Sequence, residues 1–135
     1  MKQMQIKCPY CGSKAIYRPA SMVYGAATKD KSAHLYVCSR WPACDSYVNV
    51  NKKSRQPMGT LANGNLRHKR IMAHKALSAF QKYRGMDKWA AYLWLQINLD
   101  LGSEQTHIGM FSEEMCERVI SLCRKALESE TSRAA

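Results

Sequence analysis

At 135 residues the chain has room for one ordinary domain, or for a small metal-stapled module joined to a compact helical one, and is too short for a large enzyme core. Hydrophobic residues at 46% and charged residues at 23% are globular proportions, which exclude a disordered tail. The net charge of +11 is unevenly spread: residues 1–50 contribute +5, residues 51–84 contribute +9 with nine Lys/Arg and no acid, and residues 85–135 contribute −3. That asymmetry is the one expected of a surface that meets phosphates. Met1 to Lys7 has no apolar core of a secretory signal, and the apolar run Ala90 to Leu95 falls far short of the roughly 20 residues that span a bilayer. A cytoplasmic location is the expectation, and there six cysteines point to metal ligation or buried thiols more than to disulfides.

The first element in chain order is a cysteine constellation in two pairs, Cys8-Pro9-Tyr10-Cys11-Gly12 and Cys38-Ser39-Arg40-Trp41-Pro42-Ala43-Cys44. Two residues between Cys8 and Cys11 suit a tight knuckle that aims both sulfurs at one ion, and Gly12 supplies the positive φ such a turn demands. The second pair is looser, with five intervening residues. Around the pairs lie β-prone runs, Lys14–Arg18, Met22–Tyr24, His34–Val37 and Ser46–Val50, which predict a small antiparallel sheet. A sheet of some 50 residues buries too little apolar surface to stand alone, so the reading is a zinc ribbon over residues 1–50. One zinc held by Cys8, Cys11, Cys38 and Cys44 has no open coordination position and is structural. The competing reading, free or redox-active thiols, needs only one pair and usually a βαβ setting.

C-P-Y-C-G followed by Y-V-C-S-R-W-P-A-C resembles the four-cysteine zinc ribbons at the C-terminal end of type IA DNA topoisomerases. The resemblance implies ligand roles for the same four cysteines and binding to single-stranded DNA; the topoisomerase catalytic domains are absent, so no strand passage is implied. A second resemblance covers most of the chain: the ribbon, then P-M-G-T-L-A-N-x-x-L-R-x-x-R-x-x-A-H from Pro57 to His74, A-Y-x-W-L from Ala91 to Leu95, and H-I-G-M-F from His107 to Phe111, is similar to small zinc-finger-containing proteins of phages and prophages.

Six of the twelve Phe, Trp and Tyr residues fall in the first 50 positions. Tyr10 and Trp41, interleaved with Lys7, Lys14, Arg18 and Arg40, are the ingredients of a stacking platform for unpaired bases. Strand alternation turns about half of such rings inward. Trp41 is the best candidate for an exposed ring, with packing over the zinc site as the alternative.

Residues 51–62 read as a basic connector carrying Lys52, Lys53 and Arg55, with Pro57 and Gly59 as breakers. A three-helix module is expected over 63–128. Its first helix starts between Thr60 and Asn65, with Leu66, Ala73, Leu77 and Phe80 on an inner face. His68, Lys75 and Lys82 lie opposite, with Arg67 and His74 beside them. Its second begins after Asp87 as N-cap, runs to about Leu99, and is apolar nearly all round, which predicts the most buried element. Its third is capped by Ser112, carries Glu113 and Glu114 in the first turn and buries Met115, Val119, Cys123 and Leu127. Residues 129–135 are expected to fray. Cys116 and Cys123, seven helical residues and roughly 10 Å apart, are too distant to share one ion and read as core thiols.

The fold class expected is therefore α+β, a four-cysteine zinc ribbon followed by three helices. The expected function is non-enzymatic binding of nucleic acid, single-stranded DNA or RNA. Its contact residues are Lys7, Tyr10, Lys14, Arg18, Arg40, Trp41, Lys52, Lys53, Arg55, Arg67, His68 and Lys75. The alternative is an adaptor docking on a host machine such as RNA polymerase or a defence nuclease. A nuclease is disfavoured, because Asp30 and Asp45 are the only acids in the basic portion.

Overall fold

The computed structural model describes residues 5–102 and 106–134. The chain divides into two compact units, Met1–Gly64 and Asn65–Ala135.

In the first unit β1 (Ala15–Pro19), β2 (His34–Cys38) and β3 (Tyr47–Asn49) form an antiparallel sheet in the order β1-β2-β3. The register sets Ala15 opposite Cys38, Tyr17 opposite Tyr36, and Tyr36 opposite Val48. β2 is buried from Leu35 to Cys38 because both of its faces are covered. Tyr36 and Cys38 pack with Cys8, Val48, Val50 and Leu61, whereas Leu35 and Val37 pack with Ala20 and the half-buried Val23, Trp41 and Tyr47. Successive residues of a strand point to opposite faces, so one central strand serves two small cores.

The strand expected at Met22–Tyr24 is instead helical: Ser21–Tyr24 forms a one-turn helix, α1, followed by a 3₁₀ turn at Gly25–Ala27. The ladder runs one residue past Pro19, where the Ala20 amide bonds the Ala33 carbonyl at 2.9 Å. The amides of Val23 and Tyr24 then both bond the Ala20 carbonyl at 3.0 Å, and the turn sets Val23 against the Leu35–Val37 face.

The basic stretch 51–62 is bonded along the sheet. The Asn51 side-chain oxygen accepts from the amides of Lys53 and Ser54 at 2.9 and 3.1 Å, which shapes a turn with Arg55 at φ 59°. Beyond it, Tyr47 and Ala62 exchange two backbone hydrogen bonds of 3.1 Å, and Leu61 and Ala62 are buried at 1% exposure each.

The second unit is helical, built from α2 (Gly64–Arg84), α3 (Lys88–Leu99) and α4 (Glu113–Ala134). α2 turns Leu66, Ala73, Leu77 and Phe80 inward as their spacing requires, and Arg70 with them. The Arg70 Nε donates to the Phe111 carbonyl at 3.1 Å, tying α2 to the segment that follows the 3₁₀ turn Ile108–Met110. Gly85 at φ 63° lets α2 stop, and Asp87 caps α3 by accepting from the Ala90 amide at 2.9 Å. Ser112 caps α4 through the Met115 amide at 3.2 Å, with Glu113 and Glu114 in the first turn where the helix dipole favours them. α4 buries Cys116, Val119 and Cys123, with Met115 and Leu127 half-buried. Its backbone is helical to Ala134; the side chains of 129–135 lie outside the described residues.

α3 is not the most buried element. Ala91, Leu95 and Leu99 are its inner face, and Trp94 stacks on Phe80 with ring centroids 4.0 Å apart. Trp89, Leu93 and Ile97 stand outward at 73%, 38% and 70% exposure. Among three helices each has neighbours on one side only, so an apolar ridge at i, i+4, i+8 on the far side stays in solvent however hydrophobic it is. Among the described residues no helix is long and apolar enough to cross a membrane.

Candidate metal centre

Two knuckles present the four sulfurs. In the first, the Gly12 amide returns to the Cys8 carbonyl at 2.9 Å and the Cys8 amide bonds the Ser13 carbonyl at 2.7 Å, with Gly12 at φ 75° as the spacing predicts. In the second, the Trp41 amide bonds the Cys38 carbonyl at 2.9 Å and the Cys44 amide the Arg40 carbonyl at 3.1 Å. Five intervening residues thus form a longer turn that still brings Cys44 back beside Cys38. Pairing of Ala15 with Cys38 fixes the second knuckle against the strand that leaves the first.

The four Sγ atoms lie within 4.8 Å of one another, with Cys8 and Cys44 3.6 Å apart and Cys11 and Cys38 3.4 Å apart. Sulfurs at the corners of a tetrahedron around zinc, each at about 2.3 Å from the metal, stand roughly 3.8 Å apart. A disulfide would need about 2.05 Å. The set therefore fits one tetrahedral zinc with thiolates at every position. The centre holds structural zinc and leaves no site for an activated water.

The sulfurs differ in how readily they give up a proton. Without metal, burial pushes the Cys38 thiol up to about 12, against a hydrogen bond from the Arg40 amide. The Ser13 hydroxyl and amide draw Cys11 down to about 6. At Cys8 burial opposes the thiolate, but donation by the Ser46 hydroxyl and the Tyr10 and Cys11 amides outweighs it, so its pKa lies below the ordinary value. A bound divalent ion overrides the burial penalty and deprotonates the coordinating thiol outright.

Of the expected nucleic-acid contacts, nine lie in the first unit, and Arg67, His68 and Lys75 lie on α2. Lys7, Lys14 and Arg40 gather at the knuckles. Lys7 bridges Lys14 across the first turn, and the Ser39 amide, next to Arg40, bonds the Lys14 carbonyl at 2.9 Å. All three side chains are exposed, as is Tyr10, whose hydroxyl accepts from the Asn63 amide at 3.2 Å. Arg18 is exposed on β1, and Lys53 and Arg55 on the 51–56 turn; Lys52 forms an ion pair with Asp30.

The sheet aromatics are less open than their number promises. Trp41 is half-buried on the sheet face opposite the sulfurs, edge-on to Tyr47 at 5.8 Å. Tyr24 meets the same Tyr47 edge-on, and Tyr17 stacks on His34 at 4.6 Å and meets Tyr36 edge-on at 5.5 Å. These rings largely pack on one another. Two residues that the sequence did not single out are structurally central: Arg70 in the helical unit and Ser46 at the metal centre. Ser46, two positions past Cys44, is completely buried with its Oγ 3.0 Å from the Cys8 sulfur.

No curated protein and no solved structure matches the chain. A family model described as a zinc-finger-containing domain matches residues 4–126, nearly the whole chain and all four clustered cysteines. With the sulfurs converging as a zinc site requires, the chain belongs to the zinc-finger-containing domain family.

Proposed function

We propose that this protein binds nucleic acid, single-stranded in preference to duplex, and catalyses no reaction on it. The observation that carries the reading is the grouping of exposed Lys7, Lys14 and Arg40 around the zinc knuckles, with the exposed ring of Tyr10 among them. Residues 1–64 contain ten Lys/Arg against Asp30 and Asp45. Asp30 is engaged by Lys52, and the Asp45 carboxylate accepts from the Gly64 amide at 3.0 Å. Cations follow a phosphate backbone while an exposed ring stacks on an unpaired base, a mode that tolerates any sequence. The phage and prophage setting suggested by the sequence resemblance belongs to the same proposal.

The test is fluorescence anisotropy with labelled single-stranded DNA, single-stranded RNA and duplex over a salt series. Three to four phosphate contacts on a single strand give a slope of log affinity against log salt of about −2 to −3. Lys14→Ala and Arg40→Ala should each lower the affinity and flatten that slope by about 0.7. Absence of binding, or affinity that ignores salt, would refute the reading.

A second reading, an adaptor for a larger protein machine, is favoured by the exposed ridge Trp89–Leu93–Ile97 on α3. It requires a protein complex that survives nuclease treatment and is lost in Leu93→Glu.

A further inference from the structure

Ser46 is a fully buried polar residue beside the metal centre. It stands immediately before β3, where its carbonyl accepts from the Cys38 amide at 3.1 Å, and its side chain is 0% exposed. The hydroxyl oxygen lies 3.0 Å from the Cys8 sulfur and 3.5 Å from the Cys44 sulfur. One residue therefore touches three of the four metal ligands, one through its backbone and two through its side chain.

The chemistry fixes the direction of that hydrogen bond. When zinc is bound, all four sulfurs are thiolates without protons, so they can only accept and the Ser46 O–H must donate. The hydroxyl has a single proton, and Cys8 is the nearer acceptor. A zinc ion with four thiolates carries a net charge of −2; Cys11 and Cys44 are half-buried, but Cys8 and Cys38 are 2% and 1% exposed, so on their side of the centre little water spreads that charge. A buried donor aimed at one sulfur draws electron density away from it, as partners behind a metal ligand do in other metal sites.

We propose that Ser46 is a positioning residue for the zinc centre: its hydroxyl donates to the Cys8 thiolate, holds that sulfur toward the metal and lowers its nucleophilicity, so that the ion is retained and the thiolate resists electrophiles. An alanine at this position keeps the backbone bond to Cys38 and removes only the donor. A threonine keeps the donor.

The test compares the full-length wild type with Ser46→Ala and Ser46→Thr, each loaded with zinc or with cobalt(II). Competition with a chromophoric chelator should show zinc affinity in Ser46→Ala reduced about 10- to 100-fold and largely restored in Ser46→Thr. Zinc release by N-ethylmaleimide should be faster in Ser46→Ala. In the cobalt form, at saturating metal, the sulfur-to-cobalt charge-transfer band should move to longer wavelength in Ser46→Ala, because a thiolate relieved of its donor gives up an electron more easily. A change in folding stability does not mimic that spectral shift. Wild-type affinity and an unmoved band in Ser46→Ala would overturn the proposal. So would a loss of affinity with the band in place, which would make Ser46 a packing residue only.

Discussion

Removing zinc should unfold one half of this protein and spare the other. Among the described residues, the core that contains the metal ligands Cys8 and Cys38 has four other buried members, Tyr36, Val48, Val50 and Leu61. At about 1.5–3 kcal/mol for each side chain these contribute roughly 6–12 kcal/mol before any conformational entropy is charged against them. Structural zinc contributes about 10–16 kcal/mol in comparable small modules, as much as that core and as much as the whole net stability of an ordinary domain. The helical unit has its own core in Leu77, Phe80, Leu95, Ile108 and Val119, and no metal ligand among them. The assay is an amide NMR spectrum of labelled protein before and after a strong chelator, with Cys38→Ser as the genetic equivalent. Signals from residues up to Gly64 should collapse into the unfolded region, and those from residues 65–134 should keep their dispersion. A zinc-free chain whose first-unit signals stay dispersed would refute the reasoning, as would simultaneous collapse of both sets.

Thiol chemistry should divide along the same line. Burial raises Cys116 and raises Cys123 to about 11, so neither supplies much thiolate at pH 8. Iodoacetamide followed by mass spectrometry should add nothing to the native zinc form. After chelation it should add four groups, at Cys8, Cys11, Cys38 and Cys44. Alkylation of Cys116 or Cys123 before the helical unit unfolds would contradict their placement. Leu95→Ala, at 0% exposure, should cost about 2–5 kcal/mol in urea unfolding, whereas Trp89→Ser, on the exposed ridge, should stay within about 0.5 kcal/mol. Comparable costs for the two would mean that α3 is oriented otherwise.

Where the sequence was informative, the information was local. Cysteine spacing, Gly12, and the caps Asp87 and Ser112 each act within a few residues, and each stands where its chemistry requires. Orientation was harder to read. The nearly all-round apolarity of α3 matched a buried helix, but burial is decided by how many neighbours pack around it, and the ridge from Trp89 to Ile97 has none of the inner-face burial of Leu95. Met22–Tyr24 is β-prone in composition, yet the Ala20 carbonyl takes the amides of Val23 and Tyr24, and the resulting helical turn sets Val23 against Leu35 and Val37. Trp41 reads from sequence as an exposed ring or as packing over the zinc site, and it takes neither place because its partner Tyr47 comes from β3 on the opposite sheet face. Arg70 and Ser46 were invisible for the same reason: an arginine on a basic helix and a serine before a strand look solvated until Phe111 and Cys8 arrive from elsewhere in the chain.

Zinc K-edge X-ray absorption on the purified protein probes the metal centre without intermediaries. Four sulfur neighbours at about 2.3 Å, with no nitrogen or oxygen in the coordination sphere and one zinc per chain, are the predicted result. A mixed sulfur and nitrogen or oxygen shell, or a folded protein that carries no zinc, would contradict it.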